Sequence, residues 1–233
     1  IDMEDNFADV VAKAQRGLGI SDTDLVARAD ISREALGRVK NERFDAEVLR
    51  KIAPVLKLDA RALVELPFYR PDMIELQGLA GFNTPYGGMR VNAYVVWDEK
   101  AGVAAAFDTG ASAEPMLEFL KSKSLKLCAI FLTHSHGDHV ADLERLQRET
   151  GAPAWISSRE PMPGAEPFDA GRVFESGERL RIEARSTWGH SRGGTTYVVQ
   201  GLAYPVAMVG DALYAGSMGG GMVSYAEALR TNR

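Results

Sequence analysis

Residues 133–139 read Thr133-His134-Ser135-His136-Gly137-Asp138-His139. Three of the chain's four histidines fall in this stretch, together with a carboxylate. Upstream, Leu127–Leu132 is an apolar run of a length that suits a buried strand. Downstream, Val140, Leu143 and Leu146 recur at helical spacing, which predicts a helix over Val140–Arg148. The polar cluster therefore belongs to a strand-to-helix junction, where a sheet edge delivers side chains into a cleft. In extended backbone, residues two apart point the same way, so His134 and His136 converge on one point. Asp138 and His139 follow where the chain turns, and they face a neighbouring point. Imidazoles and carboxylates in this arrangement suit a divalent cation, zinc first, with iron or manganese as alternatives. The plain alternative is a polar loop in which the histidines are accidental.

The rest of the composition sets broad limits. With 233 residues, 45% hydrophobic and 25% charged, the chain can bury a core and fits one large domain or a small domain plus a medium one. A net charge of −5 gives no global attraction to nucleic acid or an anionic membrane. The single cysteine, Cys128, excludes an internal disulfide framework and fits a reducing, cytoplasmic compartment. It sits inside the apolar run and reads as a core residue. No apolar stretch approaches the roughly 18 residues of a membrane span, so no membrane association is expected. The first thirty residues lack the layout of a secretory signal.

Residues 1–66 read as short helices at about Asn6–Arg16, Asp22–Ala29, Arg33–Lys40, Ala46–Val55 and Ala60–Glu65. Gly17 and Gly19 end the first, Ser21 or Asp22 caps the second, and Ser32 caps the third. Leu25, Val26, Ala29, Ile31, Leu36, Val39, Leu49, Ile52 and Leu56 form the buried seam. The run Leu25 to Val39 resembles the helix-turn-helix domains of the λ-repressor/Cro-like family. That resemblance implies DNA as a partner, met by the helix starting near Ser32, with Arg33, Arg38, Lys40, Asn41 and Arg43 as candidate contacts. Charge weighs against it: residues 1–66 carry 11 Lys and Arg against 13 Asp and Glu, a balance of −2. The other reading is a packing or dimerisation module, which would make the protein a homo-oligomer.

Pro67 and Pro71 mark the passage to a second domain, residues 67–233. Val91–Val95 alternates as a strand does, extended by Val96 and Trp97, and Val103–Phe107 follows after a turn at Asp98–Gly102. A helix over Glu114–Lys121 precedes the central strand, loop and helix. Ala154–Ile156 reads as a short strand, then a loop with Pro161, Pro163 and Pro167. Val173–Gly177 pairs with Arg179–Ala184, and Thr196–Val199 and Pro205–Val209 complete the strands. Two loops at strand ends hold further ligand types, His190 after Gly189 and Asp211 after Gly210. Taken singly, His190 is as readily a solvent-facing loop histidine, and Asp211 a turn-former or cap. Asp108, before Thr109 and Gly110, reads most simply as an Asx-type turn.

Together these motifs resemble the metallo-β-lactamase superfamily. The stretch 133–139 matches its histidine–aspartate motif. Asp108-Thr109-Gly110, Gly189-His190-Ser191-Arg192-Gly193-Gly194 and Gly210-Asp211-Ala212-Leu213 match its other motifs in order. The glycine-containing Tyr214-Ala215-Gly216-Ser217 leans toward the glyoxalase II-like branch. The resemblance implies an α+β fold, an αββα sandwich with the site along one edge of two sheets. It also implies two metal sites: His134, His136 and His190 at the first, Asp138 and His139 at the second, and Asp211 bridging them. The activity implied is hydrolysis of a small-molecule ester or thioester, with Asp138 as the residue that orients water and takes its proton. Other readings are a sulfur-oxidising dioxygenase with a single non-haem iron, or a DNA-binding regulator using the hydrolase fold as a sensor.

The family's second site usually takes one more histidine beyond the bridging aspartate, and all four histidines here are already assigned. The chain ends 22 residues after Asp211. The expectation is a sandwich incomplete at its C-terminus, a truncated chain, with one metal site filled and the second empty or weakly filled.

Overall fold

A computed structural model describes residues 4–72 and 75–233. The chain divides into two compact units. One takes the described residues up to 72 together with Leu213–Arg233, and the other takes those from 75 to Ala212.

The first unit begins with five helices: α1 (Phe7–Gly17), α2 (Asp22–Ala29), α3 (Arg33–Lys40), α4 (Ala46–Val55) and α5 (Ala60–Glu65). Each starts where a short polar side chain can accept from an unpaired backbone N–H. Asn6, Ser21, Ser32, Asp45 and Asp59 do this in turn, and Asn6 forms a reciprocal capping box with Asp9. One face of each helix is apolar, and Val11, Leu25, Leu36, Val39, Leu49, Ile52 and Leu56 meet in a core closed to solvent. Two of the cations of α3 are engaged within this unit: Arg33 donates to the Thr23 hydroxyl, and Lys40 pairs with Asp22 at 2.8 Å.

The second unit is built on two sheets. The first sheet orders β1 (Leu79–Tyr86), β2 (Met89–Asp98), β3 (Val103–Phe107), β4 (Lys126–Phe131), β5 (Ala154–Ser157) and β6 (Ala165–Phe168) side by side. The pairs β1/β2 and β2/β3 are antiparallel, and those from β3 to β6 are parallel. Between β3 and β4 lies α6 (Glu114–Ser122), and between β4 and β5 lie a single turn, α7 (Gly137–Val140), and α8 (Leu143–Thr150). The second sheet runs β10 (Val206–Met208), β9 (Thr195–Gln200), β8 (Leu180–Ser186), β7 (Val173–Ser176), all antiparallel.

The strand period of two sorts the side chains into two cores. Val95, Ala104, Ala106 and Ile130 face one way and pack on Met116 and Leu120 of α6 and Leu143 and Leu146 of α8. Val96, Ala105, Phe107 and Phe131 face the other way and meet Leu180, Ile182, Tyr197 and Val199 of the second sheet. Phe107, Phe131 and Tyr197 form a ring cluster with centroids 5.2 to 5.6 Å apart. The outer face of the second sheet carries Arg181, Glu183 and Arg185, paired with one another along β8. Among the described residues of this unit, no helix covers that face, so the layering is α, β, β here rather than the full αββα sandwich. Charged side chains at these positions are solvated without a cover.

The first unit is completed by a hairpin of β11 (Leu213–Tyr214) and β12 (Ser217–Met218) and by α9 (Tyr225–Thr231). The Tyr225 ring lies directly over Gly17, where any Cβ would collide with it. Ser217 donates to Asp5, which also pairs with Lys13.

Several local expectations change. The helix expected over Val140–Arg148 is two pieces, because Asp142 leaves helical geometry and its carboxylate accepts from the Ala113 N–H at 2.7 Å. The proline-rich loop after β5 contains a strand, β6, and Pro167 is tolerated because β6 ends the sheet order. At the other end β1, unforeseen, holds Pro85. Cys128 is half-buried rather than core. The β3/β4 register pairs Ala104 with Leu127 and Ala105 with Ala129, so Cys128 is the extra residue of a bulge. Among the described residues no helix is long and apolar enough to cross a membrane.

Candidate metal centre

The parallel strands β3, β4 and β5 end at one edge of the first sheet, and the loops leaving them carry Asp108, Thr133–His139 and Glu160. The second sheet brings two more loops: Thr187–Gly194 between β8 and β9, and Gly210–Ala212 after β10. Hydrogen bonds to backbone carbonyls stitch the two sets together. Thr195 N donates to Thr133 O at 2.9 Å, and the buried Tyr197 hydroxyl donates to Leu132 O at 2.8 Å.

His134, His136, His190 and Asp211 each offer a ligand atom, and these atoms lie within 4.8 Å of one another. His190 Nε2 is 3.0 Å from His136 Nδ1 and 3.3 Å from Asp211 Oδ2. His139 and Asp138 lie on the other side of Asp211: His139 Nε2 is 3.1 Å from Asp211 Oδ1 and 3.5 Å from Asp138 Oδ2. Asp211 thus spans both groups, one oxygen toward each. All six side chains singled out from the sequence meet at this edge.

The hydrogen bonds decide which nitrogen each ring presents. Thr133 Oγ1 donates its only proton to Asp108 Oδ2 at 2.8 Å, so its contact with His134 Nδ1 at 3.0 Å is one in which the ring donates. His134 Nε2 is left as a bare lone pair, and it is buried with no hydrogen-bond partner in the protein. A buried acceptor without a partner is costly unless something electrophilic meets it. His139 also gives its Nδ1–H to Asp108 Oδ2 at 2.8 Å, but its Nε2 carries a proton shared with Asp211 Oδ1 at 3.1 Å, a proton that a cation would displace. A void of about 10 Å³ adjoins His134, His190 and Asp211. Orphaned lone pair, anionic bridge and convergent imidazoles together fit a divalent cation.

The electrostatics divide the two rings. Burial first, and then the other imidazoles, push His134 down to about 2, so it is neutral at physiological pH. For His139 burial opposes the charge, but Asp108 and Asp211 outweigh it and raise the ring to about 10. Burial alone would raise Asp211; the hydrogen bond from His139 and the surrounding rings hold it well below the usual carboxylate range.

Two further residues belong to the arrangement. Asp108, which reads as an Asx turn in sequence, has φ +57 and is almost fully buried, with both oxygens engaged by Thr133 and His139. Glu160 Oε1 accepts from Ser135 N at 2.9 Å, and Oε2 accepts from Gly193 N at 2.7 Å. Its position just beyond β5, at the strand edge that supplies the other loops, is the signal by which it could have been found.

The sequence pattern of the metallo-beta-lactamase superfamily matches residues 86–230. A hydroxyacylglutathione hydrolase of Synechococcus sp. is 35% identical over 138 residues, covering 54% of this chain and 51% of the relative. The hydroxyacylglutathione hydrolase GloC of Haemophilus influenzae is 26% identical over 156 residues, covering 58% of this chain and 72% of the relative. The chain spans about half the length of several curated relatives that it matches. Among solved structures, the BLEG-1 B3 metallo-beta-lactamase aligns with a TM-score of 0.54 at 23% identity, covering 65% of this chain and 83% of that one. That likeness concerns the fold alone.

Proposed function

We propose that this chain, which belongs to the metallo-beta-lactamase superfamily, is a metal-dependent hydrolase of small thioesters or esters. The observation that carries the reading is the convergence of His134, His136, His190 and Asp211 around a buried Nε2 lone pair with no partner in the protein. The hydroxyacylglutathione hydrolases among its relatives favour thioesters, since an acyl group carried on glutathione's thiol is one.

His134, His136 and His190 would hold one cation, Asp138 and His139 a second, with Asp211 shared. A bound divalent cation supplies Lewis acidity, lowering the pKa of water to about 7 and polarising an acyl oxygen. The protein's part is positioning and proton handling. Asp108 keeps the Nδ1 proton on His139 and so aims Nε2 at the site. Asp138, one-fifth exposed, orients the attacking water and accepts its proton. The new C–O bond forms at the acyl carbon, the C–S or C–O bond to the leaving group breaks, and the proton passes to the leaving thiolate or alkoxide. Zinc suits this donor set of imidazole and carboxylate, and iron or manganese would be accepted by the same ligands. Metal content and thioesterase turnover of the full chain and of His134→Ala test the reading. The expected result is loss of both in the variant; undiminished turnover in metal-free His134→Ala sinks it.

For the helical unit a second reading is DNA contact through α3. It is favoured by the three-residue turn of Asp30, Ile31 and Ser32 between α2 and α3, with Asp30 left-handed and Ser32 capping α3. Because Arg33 and Lys40 already have partners, such contact would be weak and strongly salt-dependent. A mobility shift at low salt that vanishes with added salt is expected, and no shift at low salt rules the reading out.

A further inference from the structure

The turn after β5 grips both ligand-bearing loops. Ser135, between His134 and His136, gives its N–H to Glu160 Oε1 at 2.9 Å and its hydroxyl to the same oxygen. Gly193, three residues past His190, gives its N–H to Glu160 Oε2 at 2.7 Å. A Cβ on Gly193 would sit 2.5 Å from the Glu160 Cβ, so the loop comes this close only because residue 193 is glycine. Beside this, the Arg159 guanidinium lies 4.5 Å from the Trp188 ring centre, a second hold on the His190 loop. The carboxylate is half-buried, and both of its oxygens are used by the two loops.

We propose that Glu160 is a positioning residue: it clamps the His134–His136 loop to the His190 loop and so sets the spacing of the imidazoles that receive the cation. This rests on the metal-centre reading above. Only a carboxylate does the job at both ends. An amide has one accepting oxygen, and its NH₂ group would face an N–H donor at the other loop. Glu160→Gln therefore keeps one tie and loses one, and Glu160→Ala loses both.

The test is titration of the metal-free full chain with Co²⁺, followed by visible absorption, for the wild type, Glu160→Gln, Glu160→Ala and the control Ser158→Ala. Ser158 lies in the same turn but hydrogen-bonds Asp169, away from both loops. Weakening of roughly 10- to 100-fold is expected for Glu160→Ala, the range usual for residues that orient ligands, with an altered absorption band. Glu160→Gln falls between it and the wild type, and Ser158→Ala matches the wild type. Circular dichroism of the metal-free proteins separates this from unfolding, and the isosteric Gln variant answers if Ala does not fold. Folded Glu160→Gln and Glu160→Ala that bind Co²⁺ with wild-type affinity and spectrum overturn the clamp while leaving the metal centre intact. A wild type that takes up no Co²⁺ overturns the metal centre and the clamp with it.

Discussion

Asp108 Oδ2 and His139 Nδ1 stand 2.8 Å apart, both side chains almost wholly buried, although 31 positions separate them in the chain. The contact joins the end of β3 to the turn after β4 and fixes which nitrogen His139 turns toward Asp211. Asp108→Asn retains the shape but offers an NH₂ group to one of three donors. Metal affinity is expected to fall roughly 10- to 100-fold. Isothermal titration with zinc checks this, and unchanged affinity refutes the role.

Gly210 precedes Asp211 with φ +48, and a Cβ there would strike the Thr133 side chain, 2.7 Å from its Cβ. Thr133 is the residue that joins Asp108 to His134. Gly210→Ala should cost about 1–2 kcal/mol for the left-handed backbone alone, and it should weaken metal binding by displacing Thr133 or Asp211. Thermal melts with and without zinc separate the two effects; a variant matching the wild type in both excludes the crowding argument.

Tyr197 is fully buried, and its hydroxyl bonds the carbonyl of Leu132, the last residue before the histidine-bearing loop. Tyr197→Phe leaves that carbonyl without this donor and should lose about 1–3 kcal/mol of stability. Urea unfolding monitored by tryptophan fluorescence reads the change, and a midpoint equal to the wild type would contradict it.

Asp98 is completely buried at the other end of β2. Burial works to raise its carboxyl, but the N–H groups of Glu178 and Ala101 and the Arg179 guanidinium prevail and hold it below its ordinary value. A carboxyl depressed in the folded state contributes stability that is complete above the unfolded pKa, near 3.9, and is lost as pH falls through the folded value. Asp98→Asn should therefore be less stable by about 1–3 kcal/mol at neutral pH. The gap should close on acidification below pH ~4. Melting temperatures from pH 7 to pH 3 test this, and a gap that widens in acid reverses the sign and disproves it.

What could be read in the sequence was what is local. A buried strand, a polar heptapeptide and a helix follow one another from Leu127 to Arg148, so the junction that holds three histidines is visible without tertiary knowledge. The alternation over Val91–Val95 likewise declares the two faces of β2. The partners of Asp108 and Glu160 were not visible, because each acts across 25 or more positions on groups that only the sheet order brings near. Strand β1 mixes Phe82, Thr84 and Tyr86 with Gly81, Asn83 and Pro85, which are depleted in strands, and is held by its pairing with β2. The break at Asp142 was hidden because the side chain that ends the turn caps a different segment.

The prolines of β1 and β6 have a consequence for behaviour at high concentration. They sit on the two bordering strands of the first sheet, Pro85 on one rim and Pro167 on the other. A proline lacks the N–H that an incoming chain would need, so each rim offers an interrupted template. A largely parallel sheet forms slowly and leaves its rims bare while it does so. Each rim is thereby blunted against fibril-like stacking.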